Sequence, residues 1–344
     1  MNISRLNAAI SLISLLLLFN VNIFAGPMSG ASWMVDMSKD LAEKPLNQVI
    51  LPGSHDSATY KLESTFAKGQ ELSAKLNKLK KIAVGYALTS IAKSWGTAQD
   101  RTIYQQLNDG IRYLDLRVTY RDDKKQFYMV HGLFGPPLAN VLSQITRFMR
   151  EHPREILVIQ VGDLNYMGES ASNIADNHRK LAQIFLNAFG TKMVKKSEVV
   201  GPEVTVGELW KKQKQIFMIY KSAEMSKTVD EFWWRDTTIS DYWANTDEVS
   251  TLKSRIDANM NTRTNDSNGS KFFVTQSQMT GNGNTISKSL IPGTSRYRSL
   301  KDMAQDVFKE LPGWLKSWKN RNPNIIILDF ANAQTSQQIY LLNK

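Results

Sequence analysis

Short apolar runs, almost unbroken by polar residues, recur along this chain between stretches of helical periodicity. They fall at 49–51, 111–117, 156–161, 215–220, 272–275 and 325–329. Each is too short for a helix, and a strand that is apolar on both faces belongs in a parallel sheet covered by helices. A chain so patterned is restricted to the α/β architectures. The same runs share a second property. They end in polar or charged residues, His55 with Asp56, Arg117, Asp163, Lys221 and Asp329, and a return strand over 126–131 ends in His131. In a parallel barrel the C-terminal strand ends meet at one mouth, which is where chemistry is found.

The strongest local signal is Leu51-Pro52-Gly53-Ser54-His55-Asp56-Ser57, where an apolar run breaks at Pro-Gly and delivers an imidazole and a carboxylate to the turn. In 111–117 the period of two places Asp115 and Arg117 on one face. Helices are expected over 102–110, stopped by Gly110, and over 138–151, 174–189 and 252–260. Another is expected over 303–316, its far half broken by Pro312-Gly313. The stretch 71–94 reads as an amphipathic helix with a basic start, flanking the barrel. Residues 32–45 read as an irregular lead-in, and 241–243 as part of an aromatic-rich connection.

Composition narrows the function. Of 344 residues none is cysteine, which removes thiolate nucleophiles, Cys-based zinc sites and disulfides. Residues 1–25 have the form of a cleaved signal peptide, with one charge at Arg5, an apolar core over 8–19 and Ala25 before Gly26. Export, to the periplasm or the medium, is the expectation, with 26–344 as a single mature domain. The net charge of +11 favours anionic partners. The basic residues are scattered without the aromatic-plus-arginine stretches of a single-strand binder, so the reading is a phospholipid surface and no nucleic acid. A monomer is expected.

Two histidines supply a base and an acid near neutral pH, and each needs a carboxylate to fix its tautomer. Asp56 and Asp329 are available, and an arginine compensates phosphoryl charge without a metal. That combination reads as phosphodiester cleavage by an attacking hydroxyl. His152, before Pro153, reads as a surface or capping residue and His178 as solvated. A zinc site on His55, His131 and the aspartates is the competing reading, with no HxxxH or HExxH pattern behind it and Arg117 against it.

Leu51–Ser57 in the order given, then Gln105-Gln106-Leu107-Asn108-Asp109-Gly110-Ile111-Arg112-Tyr113-Leu114-Asp115-Leu116-Arg117, then Val130-His131-Gly132, resemble the X domain of phosphatidylinositol-specific phospholipase C. The likeness is nearest to the single-domain forms and extends over about residues 32–332, through Trp243 and Ile327-Leu328-Asp329-Phe330. The resemblance implies a distorted or incomplete TIM-type (β/α)8 barrel and cleavage of an inositol phospholipid to diacylglycerol and a cyclic inositol phosphate. It implies His55 as general base, oriented by Asp329, and His131 as general acid partnered by Asp56. Arg117 would stand where the calcium-dependent members hold their metal, so no cofactor is implied. Lys221, Asp241 and Trp243, with Asp115 and Asp163, would contact the headgroup. One departure is that Gly162-Asp163 stands where some members place a lysine that touches the inositol ring. The rival readings are a metal-dependent glycerophosphodiester or sphingomyelin phosphodiesterase on the same barrel, and a non-catalytic lipid-binding or interaction protein.

Overall fold

Proline at 52 and glycine at 53 do not prevent a strand at 51–54, because both neighbours supply parallel partners. In a computed structural model, which describes residues 29–69, 86–265 and 269–344, β1 (Leu51–Ser54) pairs with β10 (Ile325–Leu328) on one side and β2 (Tyr113–Arg121) on the other. Gly53 is required by close approach. A Cβ there would lie 2.8 Å from the Ile327 side chain and 3.1 Å from that of Tyr113.

From this centre the parallel sheet extends through β5 (Leu157–Gly162), β6 (Ile216–Tyr220) and β7 (Phe232–Trp234) in one direction. In the other it runs through β9 (Phe272–Gln276) and β8 (Ile239–Tyr242). The order β7-β6-β5-β2-β1-β10-β9-β8 follows the chain around a ring, and no pairing joins β7 to β8. This is the expected incomplete barrel, and the position of its seam has a simple cause. Only Arg235–Thr238 connects β7 to β8, whereas side-by-side parallel strands need a crossover of about a dozen residues. Neither strand was read from sequence, since runs of three and four residues containing Ser240 and Asp241 carry almost no periodic signal.

The return strand departs from the barrel-end expectation. β3 (Gln126–His131) is antiparallel to the overhanging half of β2, with Val118 opposite Met129 and Arg121 opposite Gln126, and β4 (Leu133–Pro137) pairs with it in turn. His131 is therefore lowered onto the mouth from a hairpin above it, not raised to it by a barrel strand.

Two apolar layers hold the sheet. Leu114, Leu116, Ile159, Met218 and Leu328 face the outer helices, while Tyr113, Val158, Phe217, Phe272 and Ile327 fill the lower interior. The helix Leu138–Glu151 is as expected. The helix Leu300–Trp318 continues through Pro312-Gly313, a correction with a physical reason. An internal proline costs about 3 kcal/mol, but Pro312 and Gly313 face solvent while Leu311, Trp314, Leu315 and Trp318 on the inner face are buried. The lead-in is partly ordered as short helices, Trp33–Asp36 and Ser38–Leu41. Trp33 closes the bottom of the barrel, stacked on Tyr340 at 5.1 Å beside a buried Arg112–Glu155 pair. Residues 1–25 lie outside the described residues, as does most of the helix read over 71–94, of which Tyr86–Gly96 is seen as helical. Among the described residues no helix is long and apolar enough to cross a membrane.

Candidate active site

Alternation along the strands builds the site. On β2, Tyr113 belongs to the apolar interior, and two and four residues later the same face presents Asp115 and Arg117 to a cavity of about 380 Å³ at the mouth. Of the ten residues named from the sequence, nine line this cavity, and Asp56, fully buried, lies behind it. The strand exits turn sharply. Asp56, Asp163 and Phe330 follow β1, β5 and β10 with φ of 45°, 52° and 50°, in the left-handed region that side-chain-bearing residues seldom adopt.

His55 Nδ1 lies 2.7 Å from Asp329 Oδ1, across the β1–β10 pair. Its Nε2 faces Asp56 Oδ2 at 3.5 Å and Arg117 Nη2 at 3.1 Å. Burial depresses the imidazole pKa, but the charges of Asp56 and Asp329 more than reverse this and raise it to about 9. A guanidinium can only donate, so the Arg117 contact is a hydrogen bond when Nε2 is deprotonated, with Nδ1–H then on Asp329. His131 donates Nδ1–H to the Gly96 carbonyl at 2.8 Å, which leaves Nε2 as its exchangeable position, 3.4 Å from Asp56 Oδ2.

Asp56 is the shared counter-ion. Burial disfavours its charge, but Arg117, His131 and His55 together hold its pKa below the usual carboxylate value. Asp329 moves the other way, raised by burial with only His55 opposing strongly. Arg117 pairs through Nε with Asp56 and through Nη2 with Asp115 Oδ2 at 3.3 Å. Burial works against its charge and the carboxylates of Asp56, Asp115 and Asp163 restore it, so its pKa is raised. His55, Asp56 and Asp115 bring ligand-type atoms within 4.8 Å of one another. Arg117 touches all three, so in this structure a guanidinium is the cation that the set holds.

Asp163, Lys221, Asp241 and Trp243 line the rest of the cavity. Asp241 is held by Arg235 at 2.6 Å, from the seam link. Trp243 donates its indole N–H to Thr280 at 2.8 Å, and with Tyr242 it is more than 40% exposed at the rim. His152 and His178 do not line the cavity. His178 is half-buried against the Tyr220 hydroxyl at 3.1 Å, not solvated as expected.

Sequence reasoning missed two residues here. Arg235 follows a three-residue strand, and only its place just after Phe232-Trp233-Trp234 could have marked it. Gln99 gives no sequence signal. It is fully buried and donates to the carbonyls of His55 at 2.8 Å and Leu328 at 2.9 Å, while its own carbonyl accepts from Ala331 N–H at 3.1 Å. It fastens together the strand ends that carry His55 and Asp329.

An open-seamed parallel barrel with this mouth has the fold of the phosphatidylinositol-specific phospholipase C structures on which it superposes. The superposition with phosphatidylinositol-specific phospholipase C from Listeria monocytogenes has a TM-score of 0.65 at 18% identity, covering 92% of this chain and 100% of that one. A Staphylococcus aureus structure described as modulation of phosphatidylinositol-specific phospholipase C membrane binding gives 0.60 at 17% identity, over 92% and 98%. The chain belongs to the PI-PLC X family, whose model (PI-PLC X 1) matches residues 89–342. That match begins after His55 and Asp56. Mouse PI-PLC X domain-containing protein 2 is 29% identical over 315 residues, 90% of this chain and 86% of the relative.

Proposed function

We propose that this chain is a phosphodiesterase that cleaves an inositol phospholipid by intramolecular attack. The observation that carries this is the arrangement of two imidazole Nε2 atoms and one guanidinium around the single buried carboxylate of Asp56, at the wall of one cavity. Neutral His55, oriented by Asp329, takes the proton of the headgroup 2-hydroxyl. That oxygen forms a bond to phosphorus, the bond from phosphorus to the diacylglycerol oxygen breaks, and His131 gives the departing oxygen its proton. Arg117 balances the charge that grows on the phosphoryl oxygens, the role a fixed donor plays in transition-state stabilisation. The products are diacylglycerol and a cyclic inositol phosphate.

Tyr242 and Trp243 at the rim, with the net charge of +11, suit a lipid surface. The leader read over 1–25 supports a working compartment outside the cytoplasm, with 26–344 as the mature domain, and N-terminal sequencing of protein recovered from periplasm or medium tests this. The decisive assay is release of water-soluble phosphate from a panel of phospholipids, with and without chelator. Release from phosphatidylinositol, abolished by His55→Ala, is expected. A panel on which wild type and His55→Ala both match the blank would overturn the reading.

A further inference from the structure

The ring proton of His131 is placed by the end of a helix. Gly96 is the last residue of the helix Tyr86–Gly96, so its carbonyl has no partner within that helix. It takes the Nδ1–H of His131 at 2.8 Å. A carbonyl can only accept, so this contact keeps a proton on Nδ1 and turns Nε2 toward Asp56 at the cavity wall. The helix end is itself pinned through the neighbouring residue, Trp95, which is buried and lines the same cavity. Its indole N–H donates to Ser289 Oγ at 3.3 Å, and Ser289 gives its own proton to the Ile286 carbonyl at 2.6 Å. Gly281 closes over the indole. A Cβ there would overlap the six-membered ring, 2.7 Å from its Cε3 atom. Gly281 lies in the loop after β9, and Ser289 ends the helix Gly283–Ser289 that follows it. Three residues beyond Gly96, Gln99 ties the same segment to the carbonyls of His55 and Leu328.

We infer that Trp95 is a positioning residue for the general acid, holding the Gly96 carbonyl where it fixes the tautomer and the aim of His131. This rests on the proposed phosphodiesterase reading. With the helix end displaced, the imidazole loses the acceptor for Nδ1–H, and Nε2 is no longer kept as its exchangeable position. An effect that runs through His131 is felt where the departing oxygen needs a proton. A general loosening of the barrel lowers activity on every substrate alike.

The test compares kcat on phosphatidylinositol and on a nitrophenyl ester of the headgroup phosphate for wild type, Gly281→Ala and Trp95→Phe. The alanine methyl displaces the indole, and the phenylalanine removes the indole N–H while keeping a ring in place, so it carries the test if Gly281→Ala does not fold. Folded variants are expected to lose at least about tenfold on the lipid relative to the ester, since misplacement by about 1 Å costs ~10²-fold. In a His131→Ala background the same changes should add nothing to the lipid defect. An unchanged lipid-to-ester ratio, or a loss that persists in full without His131, would overturn the inference. If wild type cleaves neither substrate, the phosphodiesterase reading fails by itself. Nitrogen-15 NMR of the His131 ring, recorded where the ring is neutral, then tests the pin alone. Loss or mixing of the Nδ1-protonated tautomer in the variants supports it, and the wild-type tautomer retained in them refutes it.

Discussion

His55 and His131 present their Nε2 atoms to the same buried oxygen, Asp56 Oδ2, at 3.5 and 3.4 Å. One comes from a barrel strand and the other from a hairpin above it, and Asp56 joins them into one electrostatic unit with Arg117. Protonation of one imidazole therefore changes the charge balance of the other.

Loss of Asp329 should move the pH profile downward. The His55 pKa is held near 9, above its ordinary 6.5, by Asp56 and Asp329 against burial. In wild type the neutral, basic form accumulates only as pH rises toward 9, so the acid limb of kcat/KM should lie well above 6.5. Asp329→Asn should shift that limb to lower pH and cut the rate by ~10²–10⁴ through loss of orientation. The same raised pKa means that protonated His55 stabilises the fold fully below 6.5, and that this contribution is lost as pH rises through about 9. NMR titration of the His55 ring checks the value. A limb that does not move would show that Asp329 leaves the base untouched.

The two imidazoles should separate by leaving group. His131→Ala should retain far more activity on a nitrophenyl ester of the headgroup phosphate than on the lipid, since a nitrophenolate departs without a proton. His55→Ala should lose ~10²–10⁴ on both, because the hydroxyl must be deprotonated in either case. Equal losses for both variants on both substrates would mean that the roles are wrongly assigned.

Activity should persist in excess EDTA, since Arg117 already bridges Asp56, Asp115 and His55. Arg117→Ala should lose about 10²–10³ in kcat, the usual effect of removing one charge-stabilising donor. Lysine should recover only part of this, because a point charge cannot reproduce the forked geometry. Loss of wild-type activity on chelation, restored by calcium or zinc, would refute this prediction.

Gln99→Leu should destabilise the protein although Gln99 itself does not line the cavity. The substitution strips Ala331 N–H of its acceptor and the His55 and Leu328 carbonyls of a donor. Each buried group left unpaired costs about 1–3 kcal/mol. Denaturant melts should show the midpoint fall with an unchanged slope, and kcat should fall with it as His55 and Asp329 drift apart. Wild-type stability would show that water replaces the clamp.

Vesicle binding should strengthen with anionic lipid and weaken with salt, since exposed charges are screened over ~10 Å at 0.1 M. Trp243→Ala should weaken binding at every salt concentration, because its exposed indole acts by burial and not by charge. Co-sedimentation measures both effects. Binding indifferent to lipid charge and to salt would count against a role for the net positive charge in docking.

The sequence by itself determined the parallel architecture and most of the residues that meet at the mouth. Both rest on local rules. Apolar runs such as 156–161 have only one comfortable environment, and a period of two places Asp115 with Arg117 whatever the rest of the chain does. Tertiary structure alone decided how those residues are wired. That Asp56 is shared by two histidines and an arginine depends on β3 running back antiparallel over the end of β2. That Gln99 fastens β1 to β10 depends on a loop distant in sequence reaching the same barrel rim, and that Arg235 holds Asp241 depends on how the short link turns into β8. The uninterrupted helix through Pro312 and the seam between β7 and β8 have the same origin. In the first, burial of the inner face outweighs a local penalty, and in the second a four-residue link is too short to close the ring.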